Sequence, residues 1–217
     1  MEKFSDYEDV KASGDYERLK LGGHICKILE VKIETYTKKA TGEPFKQMIL
    51  KIDIAEPDEQ AGYYQRKFAD AAKENALEAK WKGYYKLTVP TDKSEDFIKS
   101  NFKTLTTSIE KSNPGYKWNW EENTLVGKVF GGVFGLEEFE NAEGKVISFS
   151  RCRFVRSTEK VLEIEPPKVK LANKTLMDYD DYVEMKREQR KQEGNKDNNN
   201  KFEEEVSSFE SAEDLPF

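Results

Sequence analysis

Gly22-Gly23-His24-Ile25-Cys26-Lys27-Ile28-Leu29-Glu30-Val31-Lys32-Ile33 is the stretch on which the fold turns. Ile25, Leu29, Val31 and Ile33 share one parity, and Cys26 and Ile28 share the other. A strand places alternate residues on opposite faces. The pattern therefore predicts a long strand with a bulge or change of face near Ile28. Gly22-Gly23 at its start fits a sharp bend. Thr41-Gly42-Glu43-Pro44 predicts a turn. Beyond it Met48, Leu50, Ile52 and Ile54 alternate with Gln47, Ile49, Lys51 and Asp53, which predicts a second strand and hence a hairpin.

Downstream, Tyr63 to Phe68 is a short strand candidate, and residues 69–83 are Ala- and Lys-rich and irregular. Tyr84 to Val89 predicts a strand closed by Pro90. Asp92 and Glu95 resemble a capping box. Ile98, Phe102, Leu105 and Ile109 follow at helical spacing, predicting an amphipathic helix over residues 93–111, stopped by Asn113-Pro114-Gly115. Leu125 to Leu136 and Val146 to Val155 predict two strands joined by a turn at Asn141 to Gly144. The order strand, strand, strand, helix, strand, strand matches a mainly β, OB-like five-stranded barrel with one inserted helix, over residues 19–172. Other small barrels and sandwiches share that order. Residues 173–194 predict an exposed C-terminal helix and linker, with Tyr179, Tyr182, Val183 and Lys186 on one face. Gly194 to Asn200 is low-complexity and expected to be disordered, as is the acidic tail over residues 195–217.

Charge is distributed unevenly. The chain carries −6, but residues 1–18, a predicted flexible acidic arm, hold −3. Residues 173–194 hold −1 and residues 195–217 hold −5, so residues 19–172 carry +3. An acidic chain ordinarily argues against phosphate binding, which needs Lys and Arg; here that objection applies to the ends only. Cys26, Cys152 and His24 cannot supply four zinc ligands without a carboxylate, so no metal and no cofactor is expected. Two cysteines do not make a secreted disulfide framework. The first 20 residues have no apolar stretch and no run suits a membrane span, so the expected location is a reducing cytoplasm. Gly127-Lys128 with Gly131-Gly132 is not a phosphate-binding P-loop, and no acid pair or nucleophile motif stands out, so an enzyme is not expected. Gly131-Gly132 reads instead as a bend or tight packing.

The end of the chain is the most specific motif. After the Asn-rich linker come Glu203-Glu204-Glu205, then Glu213-Asp214-Leu215-Pro216-Phe217. This resembles the acidic tip of bacterial and phage single-stranded-DNA-binding proteins, which ends in acids, an aliphatic residue, Pro and Phe. Ala212 stands where a further acid is common. Phe217 offers a ring and a free carboxylate together, suited to an apolar pocket rimmed by Arg. The stretch from Ser112-Asn113-Pro114-Gly115-Tyr116 to Gly127-Lys128-Val129-Phe130-Gly131-Gly132-Val133-Phe134 is similar to uncharacterised phage and prophage proteins encoded beside replication and recombination genes. The resemblance implies a protein that coats single-stranded DNA and recruits replication, recombination and repair proteins through Glu213, Asp214, Leu215, Pro216 and Phe217. Homo-oligomerisation stays open. A recombination or replication accessory protein (a loader or mediator) is the main alternative, and an acidic DNA mimic or inhibitor a further one.

Sequence-tolerant binding of a single strand needs a basic groove and exposed aromatic faces. Three clusters offer both: Tyr63-Tyr64-Gln65-Arg66-Lys67, Lys80 to Lys86 around Trp81, Lys82 and Tyr84, and Tyr116 to Trp120 with Lys117, Trp118 and Trp120. Arg151 and Arg153, of one parity, add charge, and Arg156 has the other parity. The candidate DNA contacts are therefore Tyr64, Arg66, Lys67, Trp81, Lys82, Tyr84, Lys117, Trp118, Trp120, Arg151 and Arg153. Trp118 and Trp120 fit core packing equally well, Trp81 is expected exposed, and Phe130, Phe134, Phe149 and Phe154 are expected in the core.

Overall fold

A computed structural model describes residues 17–194, with side chains to 189. The arm before residue 17 and the acidic tail with its tip lie outside the described residues. β1 (Gly22–Thr37) and β2 (Pro44–Ile54) form the expected hairpin. Their register slips between Ile28 and Glu30, which leaves Leu29 as the bulged residue where the parity of the sequence changes.

Residues 63–68 are not a strand. They open α1 (Tyr63–Glu74). Ala69, Ala71 and Ala72 favour helix, and the deciding contact comes from β2. Asp53 accepts the N–H of Tyr64 at 2.8 Å and of Gln65 at 3.2 Å, satisfying donors that a helix start leaves unpaired. β3 (Tyr84–Thr88) and α2 (Asp96–Ser112) follow as expected. Asp92 does not cap α2: the cap position is Glu95, without a side-chain bond. Phe102, Leu105 and Ile109 are buried. Asn113 ends the helix and ties it to the next strand, donating to Ile109 O and Val129 O and accepting from Val129 N.

Leu125 lies in a single 3₁₀ turn (Glu122–Leu125) rather than opening a strand, so β4 runs Val129–Glu140. β5 (Val146–Arg156) pairs with it across the Asn141 turn. Two short strands were not legible in the sequence, β6 (Val169–Lys170) and β7 (Leu176–Met177), before α3 (Tyr179–Gly194).

The protein is mainly β. Among the described residues the sheet has seven strands rather than five, in the open order β3-β2-β1-β4-β6-β7, with β5 also on β4. β4-β1-β2-β3 is the Greek-key order, a fourth strand returning by a long connection to lie beside the first. Phe130, Phe134, Ile28, Met48, Leu50, Ile52, Leu105 and Ile109 fill the core, each such burial contributing about 1.5–3 kcal/mol. Gly132 lies between two thiols: a Cβ there would stand 2.8 Å from Cys26 Sγ and 3.1 Å from Cys152 Sγ. This is the tight packing expected of Gly131-Gly132. Both cysteines are buried and free.

The chain divides into two compact units. The larger comprises Leu21–Leu136 and Ser150–Lys168; the smaller holds Glu137–Phe149, the chain from Val169 and, of the described residues, 17–20. Within the smaller unit α3 is not wholly exposed. Tyr182 is buried, its hydroxyl 2.7 Å from Ser148 Oγ and 3.1 Å from Glu138 Oε1, and Lys186 meets the same Glu138 at 2.8 Å.

Candidate nucleic-acid interface

The β2–β3 ladder pairs Lys51 with Tyr84, Leu50 with Tyr85, Ile49 with Lys86 and Met48 with Leu87. Facing residues of an antiparallel pair share a side. Leu50, Met48 and Leu87 are buried, and the Tyr85 ring lies 6.3 Å from Phe130, so that side is the core. The opposite side presents Lys51, Tyr84 and Lys86, and β1 extends it with Glu30, Lys32 and Glu34. Tyr84 is 42% exposed. Trp81, just before β3, is half-buried rather than exposed: its N–H donates to Gly83 O at 3.0 Å and Ile52 O at 3.2 Å. The ring sits 5.9 Å from Phe68 with Lys51 Nζ 4.6 Å from its centroid, within cation–π range. Lys82 beside it is exposed.

The charges converge on this face. Partial burial holds the Lys86 ammonium below its ordinary range, Glu34 works against that shift, and Arg151 of β5 adds to it. Burial pushes the Tyr85 hydroxyl up to about 12, with Cys152 adding and Arg151 opposing. Arg151 is itself exposed.

The other candidates are dispersed. Tyr64 is 8% exposed, its ring edge-on to Tyr63 and packed against Gly83, where a Cβ would come within 2.6 Å of it. It offers no face to a base. Arg66 is exposed and donates to Ala61 O, and Lys67 is half-buried. Lys117, Trp118 and Trp120 sit together on the loop after α2. Glu110 organises that loop, accepting the Trp118 N–H at 3.0 Å and pairing with Lys117 at 3.4 Å; the first of these bonds leads in holding its carboxyl below the usual range. Trp118 is half-buried, and its ring N–H is buried with no acceptor among the described residues. Trp120 is 75% exposed, at a φ of 68°, and stacks 6.0 Å from Phe102 at 14° between planes. Among the described residues no ring contact joins this group to Trp81.

On β5 the alternation shifts, because Cys152 and Val155, three apart, are both buried. Phe130 and Phe134 are in the core as expected, but Phe154 is not. It is 43% exposed, with the Arg153 guanidinium 5.4 Å and that of Arg156 5.9 Å from its ring. Arg153 also donates to Lys168 O. Sequence reasoning missed Lys51, Lys86 and Phe154. The period-2 reading of β2 was enough to put Lys51 outward, but Lys86 and Phe154 needed the ladder and the shift.

Among the described residues no group of three or more His, Cys, Asp and Glu could hold a metal ion, and no helix is long and apolar enough to cross a membrane. No family model matches the chain, and no curated protein matches it.

Proposed function

We propose that this protein binds single-stranded DNA across the outer β2–β3 face and recruits DNA-processing proteins through Glu213, Asp214, Leu215, Pro216 and Phe217. The observation that carries the reading is the register of Lys51 with Tyr84, with the same Lys51 over Trp81. Lys51 thus faces Tyr84 across the ladder and lies over the ring of Trp81. Bases stack on Tyr84 and the accessible part of Trp81, and phosphates meet Lys51, Lys82, Lys86 and Arg151. Trp120, with Lys117, adds a stacking face on the α2–β4 loop. The Greek-key order supports an OB-type barrel, a fold whose strand 2–3 face and 1–2 and 4–5 loops bind oligonucleotides. Here the 1–2 loop carries Lys38 and Lys39.

Titration of the full chain with labelled oligo-dT and with duplex of the same length tests this. Tighter binding to the single strand, weakening as salt rises through counterion release, is expected. Equal affinity for duplex, or none for either, overturns it. Capture of replication proteins without any DNA binding would move the reading to a loader or mediator.

A further inference from the structure

We infer that the far part of β1, from Leu29 to Thr37, is a docking edge for a second copy of this chain, the two β1 strands pairing antiparallel about Ile33. This goes beyond the proposed function and does not depend on it.

The ladders leave that edge open. β2 pairs with β1 as far as Thr37, but β4 pairs with the other side of β1 only from Gly22 to Lys27. Two further bonds, Ile28 N–H to Lys128 O at 2.9 Å and Gly127 N–H to Ile28 O at 2.8 Å, end the contact. Among the described residues no strand lies on that side of β1 from Leu29 to Thr37. A strand at the edge of a sheet is a template for pairing with another chain. One face of this edge is also apolar. Val31 and Ile33 stand opposite Leu50 and Met48 of β2, which are buried, so they lie on the core side of the sheet. Ile33 is nonetheless 38% exposed, and the bulged Leu29 39%. Aliphatic side chains reach solvent there because the sheet stops at β1.

The order of charges along the edge fits its own copy. A two-fold interface sets residue i against j and j against i. Ile33 is the midpoint of Leu29 to Thr37, so pairing the whole edge with itself sets Ile33 against Ile33 of the second copy. Lys32 then faces Glu34 of the second copy, and Glu34 faces its Lys32. Opposite charges set directly across a ladder stabilise it, and like charges destabilise it. Moving the centre by one residue sets Lys32 against Lys32 or Glu34 against Glu34, so charge selects the register centred on Ile33. Lys32 Nζ already meets Glu30 at 2.9 Å, but an ammonium has three donors, and both side chains remain exposed. Residues set opposite share a face, so the outer faces of β1, β2 and β3 from both copies lie on one side of the joined sheet.

Sedimentation of the full chain over a range of concentrations, without DNA, tests this. The wild-type chain should rise to the mass of two chains. Lys32→Glu, which sets acid against Glu34, should stay at the mass of one chain, and so should Glu34→Lys, which sets ammonium against Lys32. An equimolar mixture of these two variants should recover the mass of two chains, because each supplies the charge the other lacks. Misfolded variants would not recover it. A wild-type chain that keeps the mass of one chain throughout overturns the inference; if association then appears on deleting residues 1–16, the edge belongs to the chain's own arm. Two-chain mass in either variant alone, or a mixture that stays at one, overturns it equally.

Discussion

His24 Nδ1 lies 3.0 Å from Asp58 Oδ2, with both side chains almost wholly buried. The pair joins β1 to the loop that leads into α1. Asp58 also accepts the N–H of Ile25 at 3.1 Å and of Gln60 at 2.9 Å, so one carboxylate fixes two chain segments. The lone histidine is thereby used in the frame of the β1–α1 corner. Asp58→Ala should destabilise the protein by about 1–3 kcal/mol or more, since it strands buried donors. Asp58→Asn, which keeps an acceptor, should cost less. Urea unfolding checks both, and equal stability of wild type and Asp58→Ala would show that the contact contributes nothing.

The proposed binding face makes separable predictions. Tyr84→Ala should cost about 1–3 kcal/mol of oligonucleotide affinity, roughly 5- to 150-fold, with little change in thermal stability. Lys51→Ala and Lys86→Ala should each lower the salt slope by about 1. An unchanged slope in both would remove them from the phosphate path.

The two loop tryptophans should part company. Trp120→Ala removes an exposed ring stacked on Phe102 and should cost about 1 kcal/mol of stability, while weakening oligonucleotide binding. Trp118→Ala should cost on the order of 2 kcal/mol or more, because its half-buried ring packs against Phe102. Chemical unfolding beside oligo-dT titration reads both, and a Trp120→Ala variant that binds as wild type would confine that ring to structure.

The core thiols predict behaviour in alkali. Burial pushes the Cys152 thiol up to about 12 and raises Cys26 as well, with the Cys152 charge adding to it. Little thiolate forms in the native state, so a thiol reagent at about pH 8 should react only after denaturant is added. In the unfolded chain the thiols ionise near about 8.5 and tyrosine near about 10. Cys152 and Tyr85 hold their protons to about 12 in the fold. The unfolded state thus binds fewer protons over this window, and stability should fall as pH rises from about 8.5 towards about 12. Denaturation midpoints measured across that range check the sign.

The tail predicts a division of labour. Deleting residues 195–217 removes a net charge of −5 and should raise DNA affinity, most at low salt where screening is weak. Deleting Phe217 alone leaves every acidic side chain in place. It should abolish recruitment of replication or repair proteins while DNA affinity barely changes. Equal recruitment by the full chain and the Phe217 deletion would remove the tip from the proposed function.

Local periodicity carried much of the fold. The β1–β2 hairpin, its bulge beside Ile28, β3, the buried face of α2 and the Asn141 turn all follow from patterns within a few residues, because side-chain alternation and turn chemistry are local properties. What the sequence determined without help was therefore the type of most long elements, the uneven charge and the motif at residues 213–217. Tertiary structure decided the rest, through partners distant in the chain. Asp53, eleven residues before Tyr64, turned an apparent strand into α1 by accepting its first N–H groups. β6 and β7, two residues each, exist only because a ladder receives them. Register decided which side chains share the proposed binding face. Trp81 drew inward because Ile52 O and Gly83 O accept its N–H, and Lys51 took its place over that ring. Composition can show that aromatic and basic residues are interleaved; which of them share a surface is set by strand pairing, because burial and cross-strand contact are properties of the assembled sheet.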